Sequence, residues 1–195
     1  MEILPDLAKD WSVSEDGLTW TFNLRDDVTF HDGTKFNAEA VKVCLDRIRN
    51  PDVGSPVRTS LEPIANVEVV SEYVVSLSTE APDGAMLQRL AGPAAFMISP
   101  AAIEEYGADL GTHPVGTGPF KYVEWKVGEE LVMERYENYH DGAPMVQKVI
   151  FRVVPEDATR ALLIQSGQAD VAMRLPATEV NRLKASGGIN FVEGE

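Results

Sequence analysis

Leu18, Trp20, Phe22 and Leu24 alternate strictly with Thr19, Thr21 and Asn23, and this stretch constrains the fold more than any other in the chain. A period of two puts the four large apolar side chains on one face of a strand and the polar ones on the other. Glu15-Asp16-Gly17 before it and His31-Asp32-Gly33 after it are tight-turn signals, so Trp11 to Phe30 reads as paired strands. The period then changes. Asn37 is placed to cap a helix from Ala38 to Ile48, where Val41, Leu45 and Ile48 recur at helical spacing until Asn50-Pro51-Asp52 stops it. Hairpins interleaved with helices point to an α+β fold, not to a regular βαβ array.

The rest of the chain repeats this mixture without an internal repeat. Residues 67 to 79 read as a hairpin, and Asp83 is placed to cap a short helix ending at Leu90. A short strand is expected at Phe96 to Ile98, then a helix from Pro100 to Tyr106 with Ser99 as its cap. Gly111 to Pro119 holds three glycines and two prolines and reads as a constrained loop whose glycines serve backbone conformation. A second hairpin follows (Phe120 to Trp125, Glu130 to Tyr136), then an apolar strand at Val149 to Val154. A helix from residue 156 or 157 to Gln165 ends at Gly167; a strand at 169 to 173, a helix at 176 to 185 and a strand at 189 to 192 complete the expected order.

Composition removes several functional classes. The net charge of -14 repels phosphate backbones, and no Lys/Arg cluster interleaves with aromatics, so a nucleic-acid partner is not expected. No apolar run approaches the ~20 residues of a membrane-spanning helix, and Met1 to Pro5 lacks a signal-peptide pattern. The single cysteine, Cys44, excludes an internal disulfide and reads as a small buried hydrophobe inside the predicted helix.

The search for chemistry is equally restrictive. His31, His113 and His140 lie in separate turns or loops, and none has a histidine or carboxylate at helical i+3 or i+4 spacing, so no metal site is expected. The acidic pairs Glu15-Asp16, Asp26-Asp27 and Glu129-Glu130 are sequence neighbours in turns, where side chains diverge. No Gly-x-Ser-x-Gly elbow occurs. Gly116-Thr117-Gly118 runs into Pro119 and a strand, whereas a phosphate cradle needs a helix N-terminus. The residues nominate no enzyme and call for no cofactor.

Three long segments carry a resemblance. Leu7-Ala8-Lys9-Asp10-Trp11-Ser12-Val13-Ser14-Glu15-Asp16-Gly17 runs on through Val28-Thr29-Phe30-His31-Asp32-Gly33 to Val41. His113-Pro114-Val115-Gly116-Thr117-Gly118-Pro119-Phe120 is followed by Glu134-Arg135-Tyr136-Glu137-Asn138-Tyr139. Phe151-Arg152-Val153-Val154-Pro155-Glu156-Asp157 leads to Gln165-Ser166-Gly167-Gln168-Ala169-Asp170. In this order they resemble the family 5 extracellular solute-binding proteins, the dipeptide-, oligopeptide-, nickel- and glutathione-binding receptors of ABC importers. Asn50-Pro51-Asp52 and Met97-Ile98-Ser99-Pro100 are most similar to glutathione- and short-peptide-binding members.

The resemblance implies an α+β, mixed-sheet periplasmic-binding-protein-like lobe of type II, peptide-binding cluster, with residues 1–92 as its smaller subdomain and 93–195 as most of its main one. It also implies a second lobe that is absent here, closing on ligand about a hinge. Trp11, Trp20, Phe22 and Phe30 are expected in the core. Ser55, Val57 and Arg58 in the loop after Gly54, and Phe96, match ligand-facing places in relatives. Phe96 stands where a nickel-chelate-binding relative has arginine, which argues against a carboxylate-rich chelate. The implied function is capture of a short peptide or glutathione-like solute by a monomer, periplasmic or extracellular and membrane-associated, for delivery to an ABC permease, with only indirect membrane contact. A sensory or interaction module retaining the fold is the alternative. The chain alone is expected to bind solutes weakly or not at all, since half a cleft cannot desolvate a ligand.

Overall fold

The structure is a computed structural model and describes residues 2–192. Strand β1 (Ala8–Val13) pairs antiparallel with β2 (Thr19–Leu24) across a turn in which Gly17 takes φ 72. A side chain at Gly17 would be strained twice over, because that backbone is left-handed and an added Cβ would stand 3.2 Å from Pro82 Cβ. The hairpin β3 (Ile64–Ser71) and β4 (Val74–Thr79) completes an antiparallel sheet in the order β1-β2-β4-β3.

Helix α1 (Ala38–Arg49) lies on β3 and β4. Asn37 caps it as expected, its side chain accepting from the Ala40 N–H at 2.9 Å. Glu39 in the first turn and Arg47 and Arg49 in the last match the helix dipole. The buried face of α1 brings Ala38, Val41 and Leu45 into one cluster with Phe22, Leu24, Val67, Val75 and Leu77 of the sheet. Phe30 and Phe36 meet edge to face in the same cluster, ring centroids 6.1 Å apart. Trp11 and Trp20 pack against it while partly buried.

Helices α2 (Met86–Leu90) and α3 (Pro100–Tyr106) follow. Ser99 caps α3, and Pro100 opens it, as the sequence predicts. Helix α2 is shorter than expected: Asp83 accepts from the Ala85 N–H instead of capping a longer helix. The expected strand at Phe96 to Ile98 does not form. Ile98 spends its backbone groups on Cys44, donating its N–H to Sγ at 3.3 Å and accepting from the thiol at 3.0 Å, so no ladder is available to it. Burial pushes the Cys44 thiol pKa up, which suits a structural role.

A second sheet has the order β5-β6-β7, from β5 (Phe120–Lys126), β6 (Glu130–Arg135) and β7 (Lys148–Arg152). The chain forms two compact units. One holds residues 1–124 and 132–149; the other holds 125–131 and 150–195. In the second unit α4 (Asp157–Gln165) packs on α5 (Ala177–Ser186), with Ala161 and Leu183 buried, and Gly167 at φ 70 ends α4. The strands expected at 169–173 and 189–192 are absent, because no neighbouring strand pairs with them among the described residues. Strand β7 forms where the apolar run predicts one, and Ile150 and Phe151 within it are exposed, as are Val153, Val171 and Met173.

Candidate functional site

The first unit holds a cavity of about 600 Å³. The apolar face of β1, β2 and β4 supplies its floor through Trp11, Phe22, Leu24, Val75 and Leu77; Leu45 and Val41 of α1 form one side. Alternation places these residues together, since each strand turns every second side chain toward the same face. Phe96, Met97 and the loop Gly116-Thr117-Gly118 form the rim. An apolar pocket with few polar groups is the form small-molecule sites take.

The rim loop is held by His31. The His31 N–H donates to the Gly116 carbonyl at 2.9 Å, the Gly116 N–H donates to His31 Nδ1 at 3.3 Å, and His31 Nε2 donates to the Gly118 carbonyl at 2.9 Å. With Nδ1 accepting, the proton must sit on Nε2, and the ring is neutral. Burial is the main cause that lowers the His31 pKa, with the Gly118 carbonyl opposing it. The ring meets Tyr136 edge to face at 5.0 Å, and the Tyr136 hydroxyl donates to the Phe30 carbonyl at 2.9 Å. Thus the His31-Asp32-Gly33 turn and the Gly116 to Gly118 loop, far apart in sequence, are stitched into one frame.

Asp32 extends the frame. Burial opposes its ionisation, but hydrogen bonds from the Ser99 and Thr34 hydroxyls and the Thr34 N–H outweigh this and hold the carboxyl below its ordinary range. The loop glycines are not what the sequence suggests. Neither Gly116 nor Gly118 has a positive φ, and a Cβ on Gly116 would meet nothing closer than 3.7 Å. The loop's shape comes from its hydrogen bonds to His31, not from glycine's extra freedom.

The other expected ligand-facing residues fall into one neighbourhood. Gly54, at φ 64, turns the chain into Ser55, whose carbonyl accepts from the Arg58 N–H at 3.2 Å, and Val57 precedes a short 3-10 turn at Arg58–Leu61. That turn touches the one at Pro93–Ala95, directly before Phe96. Phe96 is 65% exposed despite its size. Val57 instead packs, partly buried, against the central cluster. Among the described residues, no ion pair or hydrogen bond holds the Arg58 side chain. Sequence reasoning missed the cavity floor as a site, because its residues carry the alternation of ordinary core.

Asp26 and Asp27 are engaged separately, by Lys9 and by Arg25. Hydrogen bonds from the Arg25 guanidinium lower the Asp27 pKa to about 2. His113 stacks on Tyr106 at 4.4 Å. No helix among the described residues is long and apolar enough to cross a membrane.

Comparison with known proteins fits this architecture. The glutathione-binding protein GsiB of Pectobacterium atrosepticum is 38% identical over 193 residues, 98% of this chain and 38% of the relative. GsiB of Salmonella typhi gives the same identity and coverage. Among solved structures, MoaA of A. tumefaciens in complex with mannopinic acid matches with a TM-score of 0.87 at 31% identity, over 92% of this chain and 37% of that one. DppA from Helicobacter pylori in complex with the peptide STSA matches with a TM-score of 0.84 at 26% identity, over 94% and 40%. The chain spans 38% of the length of the curated relatives it matches. The family model for bacterial extracellular solute-binding proteins, family 5 Middle, covers residues 2–195, and the chain belongs to that family.

Proposed function

We propose that this chain is part of the substrate-binding component of an ABC importer, in which the full protein captures a short peptide or glutathione-like solute outside the cytoplasmic membrane and hands it to the permease. The observation that carries the reading is the 38% identity to a glutathione-binding relative along 98% of the chain. The chemistry is binding, not catalysis. Phe96 and Arg58 face the solute in this reading, one supplying an apolar surface and the other a free guanidinium for a carboxylate. Ser55 and Val57 shape the loop that carries Arg58. Residues 1–92 and 93–195 act as the two subdomains of one lobe, and the protein works as a periplasmic or surface-held monomer.

The exposed apolar side chains of the second unit support the lobe reading, because patches of that kind mark surfaces covered by further polypeptide. The test is calorimetry on the full-length receptor with glutathione, di- and tripeptides, a sugar and a nickel chelate. Saturable binding of glutathione or a peptide supports the reading; binding only to the sugar or the chelate counts against it.

A further inference from the structure

His140 has a buried ring nitrogen with nothing to bond. Its side chain is 3% exposed, and Nε2 makes no hydrogen bond. Buried polar atoms are almost always paired, so an orphan of this kind asks for an explanation. Nε2 is aimed at two carboxylates, Asp6 Oδ1 at 3.5 Å and Asp141 Oδ2 at 3.8 Å, both beyond ordinary hydrogen-bond length. Ligand atoms from all three residues lie within 4.8 Å of one another. We propose that Asp6, His140 and Asp141 form a divalent-cation site, best suited to zinc.

The spacing fits an ion better than a direct contact. Nitrogen and oxygen ligands sit about 2.0–2.2 Å from zinc, so two of them at a tetrahedral angle stand roughly 3.4 Å apart. The turn from Tyr139 to Gly142 makes adjacent residues converge: the Gly142 N–H donates to the Tyr139 carbonyl at 2.9 Å, and Gly142 takes φ 94. Arg25 provides the outer support that orients metal ligands. It donates to Asp141 Oδ1 at 3.0 Å, leaving Oδ2 toward the imidazole, and to the His140 carbonyl at 3.5 Å. Arg25 pairs with Asp27 and Asp141, and Asp6 lies beside His140, so three carboxylates against one guanidinium leave an excess of negative charge for a dication to neutralise. Asp6 is 74% exposed, so the open side can take water or an outside donor. A buried imidazole among the ligands disfavours calcium and magnesium, which prefer all-oxygen shells.

The case for this site does not rest on the solute-binding reading, although Asp6 also lines the cavity described above. The test is calorimetric titration of the metal-stripped full chain with zinc chloride, alongside cobalt(II) visible absorption. One zinc per chain, with d–d bands for bound cobalt, is the expected result. Asp6→Asn should weaken zinc at least about tenfold while leaving the metal-free unfolding temperature unchanged, since it alters only an exposed carboxylate. His140→Gln should abolish uptake. Absence of saturable zinc binding, as expected if the ring only packs between two carboxylates, overturns the proposal. So does Asp6→Asn binding zinc as the natural chain does.

Discussion

Replacing His31 by phenylalanine isolates the bonds that hold the rim loop. The aromatic contact with Tyr136 at 5.0 Å survives in kind, but the Gly118 carbonyl loses its Nε2–H donor at 2.9 Å and the Gly116 N–H loses Nδ1 at 3.3 Å. A net hydrogen bond contributes about 0.5–1.5 kcal/mol, and an abandoned, partly buried partner adds to the loss, so His31→Phe should cost about 2 kcal/mol. For a chain of this size that lowers Tm by roughly 4–8 °C. The pH dependence is the sharper test. Burial is the main cause depressing the His31 pKa below 6.5, so the unfolded chain takes up the proton first as the pH falls. The neutral ring's contribution is complete above 6.5 and declines as the pH drops through the lower folded value, where a second N–H would confront the Gly116 donor. Thermal unfolding of both proteins by circular dichroism at several pH values reads this directly. The gap in Tm should narrow on acidification. A variant as stable as the natural chain at pH 8, or a gap that widens in acid, refutes the reasoning.

Three other substitutions follow from the same geometry. Asn37→Ala removes the cap on the Ala40 N–H and should cost about 1 kcal/mol in denaturant unfolding, with Asn37→Asp restoring most of it. Leu45→Ala opens a cavity beneath the sheet and should cost about 2–5 kcal/mol, since Leu45 is fully buried; a loss under 1 kcal/mol would mean the cluster is not close-packed. Phe96→Ser and Arg58→Ala should each weaken solute binding to the full-length receptor about tenfold or more while leaving Tm unchanged. Unaltered affinity in both variants removes them from the solute-facing surface.

Local rules carried much of the fold. Alternation from Leu18 to Leu24 gave β2, Asn37 gave the start of α1, and Ser99-Pro100 gave the start of α3. Each depends only on side chains within a turn or two. Strand predictions failed where pairing was decided elsewhere: Phe96 to Ile98 is apolar enough for a strand, but Cys44 takes the backbone groups of Ile98. The glycines of the Gly116 to Gly118 loop misled for the same reason, because a histidine some eighty residues earlier sets the loop's shape. The apolar cavity was hidden among residues that look like core. The Asp6, His140 and Asp141 group was invisible to a search by helical spacing, since a turn and a distant strand entrance bring it together.

The central claim, that this chain is part of a receptor for a peptide-like solute, is tested most directly by the thermal shift of the full-length protein against glutathione and short peptides. A ligand held at 100 times its Kd should stabilise the folded state by about 2.7 kcal/mol and raise Tm by several degrees. The account predicts such a shift for glutathione or a short peptide and none for the 195-residue chain alone. A full-length protein that no member of that set stabilises would contradict it.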